Sequence, residues 1–368
     1  MKNCKFCLNK FEKTKIKKIY FNLPIFRHYD FSTIREGKIY FEQCSTCSTI
    51  FNDKYYQKEK KIFKKLIYLS NSEVKYGRIY KNNRFELKQY SQAKIIKRFF
   101  NKNDKLNFLD VGCFDGTLLK ELNKNFKKSS FFGLEISSNF KKIFPKYRNF
   151  NFFDDIKKVK EFGKKIDCVI FSDSIMYIEK LDEFLKNIYE ILNDDGIIFI
   201  QIPNIKNNSL TSLIGDQFII PTETTLRNIF SLFQFKIKRK ISNNTEKNQV
   251  FIAKKTDVKN VKLKKDKTII ESLKKNKLLG NNIIKYKKFN LFIFGATLSA
   301  AFVDQTLSNS NSFLDENPLK VGKYFRNNKV YHPSLIKKNS NVMIAYGKFN
   351  NIFKKKLKSK YNLNLITV

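Results

Sequence analysis

Residues 107–119, NFLDVGCFDGTLL, restrict the fold more than any other stretch of this 368-residue chain. An apolar run, Phe108, Leu109 and Val111, stops at the small-residue turn Gly112-Cys113-Phe114-Asp115-Gly116, and helix-forming residues follow from Thr117. Buried strand, tight glycine turn and helix, in that order, open a ligand pocket at the carboxyl edge of a doubly wound α/β sheet. Glycine is required at Gly112 and Gly116, because the backbone turns sharply and must admit a ligand with no Cβ in the way. The run Phe131-Phe132-Gly133-Leu134-Glu135 reads as a second strand ending in an acid nineteen positions after Gly116. A carboxylate at that tip can accept both hydroxyls of an adenosine ribose. The spacing is not that of a dinucleotide fingerprint, and Asp110 and Asp115 sit in the turn. Acids suit a cationic ligand better than a pyrophosphate.

The strand and helix pattern then repeats. Strands are expected at 107–111, 131–135, 149–153, 168–172 and 196–202, alternating with helices as βαβ units do. Asp154 and Asp155 follow the third strand, Ser172-Asp173-Ser174 ends the fourth, and Asp194-Asp195-Gly196 is a turn into the fifth. Ligands of such sheets bind beyond the carboxyl ends of the strands, so Asp154, Asp155 and Ser172 are candidate contacts.

By LDVGCFDG and GLEIS the chain resembles the class I S-adenosylmethionine-dependent methyltransferases. The resemblance implies S-adenosyl-L-methionine as cofactor, held by Asp110, Gly112, Cys113, Asp115, Gly116 and Glu135, with Asp154 or Asp155 near the adenine amino group and Ser172 close by. A sulfonium ligand that also carries an amino group matches the acids of the turn.

Four of the six cysteines fall in two pairs, Cys4-x-x-Cys7 and Cys44-x-x-Cys47; the other two are Cys113 and Cys168. In a reducing compartment two such knuckles read as a four-thiolate tetrahedral zinc site. A closed four-cysteine site leaves no open coordination position, so the metal is expected to be structural. The intervening loop is long for a zinc ribbon; within it 19–26 and 38–42 alternate as strands do. His28 reads as a surface-loop histidine rather than a fifth ligand.

A hydrophobic content of 42%, with 38 Phe, makes the chain globular. The formal charge of +40 comes from lysines scattered almost evenly among Asn, Ile and Phe, which reads as compositional bias more than as a dedicated polyanion surface. No run is apolar and long enough to span a bilayer, and the first residues lack the apolar core of a signal peptide, so a cytoplasmic protein is expected. Residues 54–100 read as a helical connector rich in tyrosine, whose 93–100 segment packs onto the sheet. Beyond a lysine-rich linker, a helix is expected at 268–279, then residues 289–297, FNLFIFGAT, are again strand and small-residue turn. A last strand is expected at 341–346.

The expected architecture is therefore α/β: a zinc-binding module at 1–53, the connector at 54–100, a Rossmann-like methyltransferase core at 101–255, and a smaller α/β domain at 256–368. That order resembles the three-domain sugar C-methyltransferases, which act on nucleotide-linked deoxysugars. The resemblance implies a nucleotide-linked sugar as partner and places Tyr68 and Ser70 in the active site. That family carries a His-Glu-His segment after the fifth strand; here residues 215–224, GDQFIIPTET, hold no histidine. Deprotonating carbon next to a carbonyl needs a positioned base, and Asp216, Glu223 and Tyr68 are the candidates. O- or N-methylation, which asks less of a base, stays open. The alternatives are a zinc-containing rRNA or tRNA methyltransferase and a non-catalytic cofactor-binding homologue.

Overall fold

The computed structural model describes residues 4–7, 15–27, 31–35, 37–52, 78–81, 84–241, 247–258, 262–308, 311–347 and 350–368. Tyr68, Ser70 and His28 lie outside them. The described residues group into two compact units, one within Met1–Lys17, Glu42–Asn204 and Gln217–Asp266, the other within Lys18–Phe41, Ile205–Asp216 and Lys267–Val368. Among the described residues no helix is long and apolar enough to cross a membrane.

The strands before the central sheet are short: β1 (Ile16–Phe21), β2 (Ile25–Phe26), β3 (Thr33–Arg35), β4 (Ile39–Cys44), β5 (Ile50–Phe51), β6 (Arg78–Lys81) and β7 (Arg84–Leu87). Within the expected helical connector, the described residues form the antiparallel pair β6–β7 and the helix Lys88–Ile96.

The first unit is built on a seven-stranded sheet. Its strands are β8 (Asn107–Val111), β9 (Ser130–Leu134), β10 (Phe150–Phe153), β11 (Ile166–Ser172), β12 (Leu192–Pro203), β13 (Phe235–Ile241) and β14 (Asn248–Lys255), in the order β10-β9-β8-β11-β12-β14-β13. Pairing is parallel from β10 to β12, and β14 runs antiparallel to both its neighbours. The order reverses beside β8, and that switch point is where such sheets take ligands.

Alternation across the pleat gives each strand two buried faces. Leu109, Val111, Phe132, Leu134, Val169 and Phe171 join one core, into which the helix Leu181–Ile191 sets Leu181, Leu185 and Ile188. Phe108, Phe131, Cys168, Ile170 and Phe199 join the other, covered by Leu118, Leu119 and Leu122 of the helix Thr117–Asn123. The phenylalanines do much of this filling. The Phe108 and Phe131 rings stack at 5.5 Å between centroids, and Phe131 and Phe150 at 4.8 Å, a ladder across three adjacent strands.

Three sequence expectations are corrected. Asp194-Asp195-Gly196 lies inside β12, and the extra residues are absorbed by a shift in the β11–β12 register between Ile166 and Cys168. Residues 235–255, given no strand above, supply β13 and β14. The strand at 341–346 is not the last.

The second unit contains β15 (Phe292–Phe294), β16 (Phe313–Leu314), β17 (Tyr324–Phe325), β18 (Asn328–Tyr331), β19 (Asn341–Ile344) and β20 (Asn364–Thr367), in the order β17-β18-β16-β15-β19-β20. All pair in parallel except the edge strand β17, so this too is a Rossmann-like sheet with its first strand central. Gly295 (φ +90°) ends β15, and a Cβ there would meet the Tyr346 hydroxyl oxygen at 1.9 Å. The ring of Tyr346 therefore fills the space above that turn.

Gly133 pairs with Asp110 in the sheet, and a Cβ on it would lie 2.5 Å from the Phe144 ring and 2.7 Å from Cys113 Sγ. Gly133→Val should overpack this contact and cost about 1–3 kcal/mol in urea unfolding; an unchanged midpoint would show that the neighbours yield freely.

Candidate functional site

The site is built around the turn after β8. Gly112 (φ +76°) donates its N–H to the Leu134 carbonyl at 2.7 Å, which fixes the end of β8 to the end of β9. A Cβ at Gly112 would lie 2.9 Å from Ser174 Cβ, so the turn also abuts the loop after β11. Gly116 (φ +72°) closes the turn, and there a Cβ would meet Phe144 and Pro145 at 2.7–2.8 Å. Both glycines are forced by conformation and by contact together.

Glu135, 5% exposed, stands at the tip of β9 and accepts N–H bonds from Phe114 at 3.3 Å and Ser137 at 3.1 Å. Burial pushes its carboxyl up, and those backbone donors pull it back. With Ile136 a third backbone donor, Glu135 still has an acceptor site beyond those the backbone fills, which could take a ribose hydroxyl. Asp115 is spent locally, its oxygens taking the Thr117 N–H at 3.1 Å and the Thr117 hydroxyl at 2.9 Å at the start of the following helix. Cys113 points inward, its thiol pushed well up by burial, so only its backbone faces the turn.

Asp110 is 3% exposed and has one carboxylate oxygen, Oδ1, without a partner among the described residues. Burial pushes its carboxyl up to about 7; nearby Lys88 opposes this, while Glu135 and Asp115 add to it. A buried acid with an open acceptor is a place for a cationic donor group.

The remaining candidates divide. Ser172 Oγ accepts from Gln92 Nε2 at 2.7 Å at the end of β11. Asp154 and Asp155 are exposed: Asp154 pairs with Lys158 at 2.7 Å, which holds its carboxyl down, and Asp155 caps the helix Ile156–Glu161 through the Lys157 N–H. Glu223 begins the helix Glu223–Leu232 and is bound by Arg227 at 3.1 Å and by Lys240. Burial raises its carboxyl, but those two cations outweigh it and hold the group below its ordinary range, the reverse of what a general base needs. Asp216 is buried within the second unit.

Lys88, Asp173 and Gln201 were missed by sequence reasoning. Lys88 Nζ lies 2.6 Å from Asp173 Oδ2, and Gln201 Nε2 donates to the same oxygen at 3.0 Å. Only Asp173 carried a signal, as a polar residue at a strand end.

Cys4, Cys7, Cys44 and Cys47 are all buried, and their sulfurs lie within 4.8 Å of one another. Cys4 and Cys47 approach to 3.6 Å and Cys7 and Cys44 to 3.5 Å. Zinc–sulfur bonds of about 2.3 Å at tetrahedral angles separate sulfurs by about 3.8 Å, so the donor set fits one such ion. The Thr46 and Cys47 N–H groups point at Cys44 Sγ at 3.3 and 3.4 Å, as suits a thiolate. Among the described residues this is the one group with metal-ligand geometry.

Strand order, glycine turn and the buried acid at the tip of β9 are those of a Rossmann-like methyltransferase fold. The comparisons agree: residues 80–239 match the family model described as "Methyltransferase domain". A malonyl-[acyl-carrier protein] O-methyltransferase of Bacillus cereus is 24% identical over 170 residues, 45% of this chain and 56% of that protein. The chain thus spans just over half the length of this curated relative. Among solved structures, an O-methyltransferase candidate from Nostoc punctiforme superposes with TM-score 0.39 at 18% identity, covering 45% of this chain and 56% of its own. A methyltransferase of calicheamicin biosynthesis, solved with S-adenosylhomocysteine, gives 0.37 at 10% identity over 45% and 54%. The chain carries a class I S-adenosylmethionine-dependent methyltransferase domain.

Asp110 sets a pH dependence. An unfolded Asp titrates near 4 and the folded one near 7, so its stabilising contribution is full below about 4 and is lost as pH rises through 7. Between pH 5 and pH 8 the wild type should lose about 2–3 kcal/mol of unfolding free energy through this group. Asp110→Asn should lack that loss in urea titrations at the two values; equal pH dependence in both proteins would contradict the assignment.

Proposed function

We propose that the protein transfers a methyl group from S-adenosylmethionine to a nucleotide-linked sugar or related small molecule, at oxygen or carbon. The observation that carries the donor half is the Gly112–Gly116 turn flanked by the buried acids Asp110 and Glu135, which suit the ammonium and ribose of a sulfonium nucleoside. When bound, S-adenosylmethionine supplies a methyl already activated on sulfur. Glu135 would hold the ribose hydroxyls, the turn backbone would pass along the donor's chain, and Asp110 would face its amino group. Catalysis then consists mostly of alignment, since methyl transfer is an in-line displacement.

The acceptor half rests on the arrangement of parts. A four-cysteine cluster, a methyltransferase core and a second Rossmann-like sheet follow one another as in the sugar C-methyltransferases. The absence of histidine from 215–224 and the ion pairing of Glu223 favour an acceptor that needs little help to lose a proton, such as a hydroxyl. The cysteine cluster would hold a structural zinc, because four thiolates close the coordination sphere.

Calorimetric titration with S-adenosylhomocysteine should give micromolar binding, weakened at least about tenfold in Glu135→Ala through loss of charge-assisted bonds. Incubation with methyl-tritiated donor should then label nucleotide hexoses and not RNA. No binding to folded protein would end the methyltransferase reading, and labelled RNA would replace the acceptor.

Elemental analysis should find one zinc per chain, and Cys44→Ser or chelation should lower the melting temperature by several degrees. Metal-free protein of undiminished stability would remove zinc from the fold.

A further inference from the structure

The second unit carries a helix, Thr268–Ile284, whose outer face packs on nothing. Its inner side buries Ile269, Leu273, Asn276 and Ile283. The winding continues as turn to Phe289, because the N–H groups of Tyr286, Lys287 and Phe289 each donate to the carbonyl three residues earlier. At about 3.6 residues per turn, Lys274, Lys275, Lys277, Leu278 and Lys285 fall on the opposite side, and all five are exposed.

Three large apolar side chains stand in water along this winding: Leu278 is 64% exposed, Ile284 48% and Phe289 51%. One exposed leucine is ordinary; three interleaved with lysines on one short stretch form a surface feature. Six lysines lie between Lys274 and Lys288, and no acid occurs between Glu271 and Asp304. Lysine density alone does not mark the stretch, since the helix Asn350–Tyr361 is as basic. There, however, Lys356 and Lys360 pair with Glu316, and only Ile352 among the large apolar residues is exposed.

Whatever covers this face must be anionic and must also accept apolar side chains. Leu278 and Ile284 offer a nucleic acid no ring to stack on, and residues 240–325 hold no arginine to grip phosphate with two bonds. A second copy related by a two-fold axis would set lysine against lysine. An anionic lipid surface meets both demands. Its phosphates attract the ammonium groups, the lysine stems lie along the boundary, and the acyl margin admits leucine, isoleucine and phenylalanine.

We propose that the outer face of Thr268–Ile284, with the turn to Phe289, docks the protein on an anionic bilayer. The helix lies in the headgroup plane and does not span. Leu278, Ile284 and Phe289 enter the acyl boundary, and the Tyr286 ring, 5.8 Å from that of Phe289, sits at headgroup level. Each lysine near such a surface favours the bound state about fivefold, an effect that salt weakens.

Co-sedimentation of the full chain with vesicles tests this. Vesicles of equal parts phosphatidylglycerol and phosphatidylcholine should bind the protein, and vesicles of phosphatidylcholine alone should not. Changing Lys274, Lys277 and Lys285 together to Gln, which keeps helix propensity, should weaken binding at least about tenfold. The same change at Lys354, Lys355 and Lys358 removes equal charge and should matter far less. Leu278→Gln with Phe289→Gln leaves the net charge alone and should weaken binding about tenfold. The chain has no tryptophan, so Phe289→Trp gives a single fluorophore whose emission should move to the blue on adding the anionic vesicles. Equal losses from the two lysine triples, or none from the apolar pair, would reduce the effect to diffuse attraction and overturn the docking face. An unshifted Trp spectrum overturns it too. So does a protein that ignores the vesicles, including one that instead binds an RNA oligonucleotide through the same lysines.

Discussion

Asp110 is where folding and binding pull against each other. The residue is the next-to-last of β8, in a sheet whose two faces are otherwise apolar, and it is 3% exposed with an open oxygen. An aspartate so placed destabilises the empty protein, because removing a carboxylate from water costs more than Lys88 at Coulomb distance returns. The surrounding structure tolerates the cost because the phenylalanine ladder and the two helical layers fix β8 regardless of what its last residues do. Stability is stored in the body of the sheet and given up at its carboxyl edge, the distribution expected of a binding site.

The same distribution decides which parts of the molecule are legible in the chain. β8 spans the residues expected, since a parallel strand buried on both faces is an unbroken apolar run and its glycine turn is chemically distinctive. Glu135 follows from its place at the next strand tip. β13 was hidden because its sequence, FKIKRKI, keeps the two-residue period only over its first half and lies in a chain where lysine is everywhere. The Lys88–Asp173 pair joins residues 85 positions apart, and nothing in either segment points to the other. A helix beginning at Lys88 and a strand ending before Asp173 place the two only once the sheet order is known. Pairings set by topology, unlike motifs set by local backbone, leave no mark on one sequence.

Charge works on two length scales. The chain carries 73 Lys and Arg against 33 Asp and Glu, so its surface attracts anions, a diphosphate among them. Within that positive field Asp110, Asp115, Glu135 and Asp173 gather around the turn between β8, β9 and β11. Salt screens exposed charges beyond about 8 Å at physiological strength, so the lysines act on a ligand near the surface and act weakly on one already in the cradle. The acids act over a few ångströms in a poorly hydrated place, where screening is small. If the acceptor is the anionic nucleotide sugar proposed above, it and a cationic methyl donor would be drawn to one protein without competing, the acceptor by the net charge of the whole and the donor by a reversal of sign confined to the sheet edge.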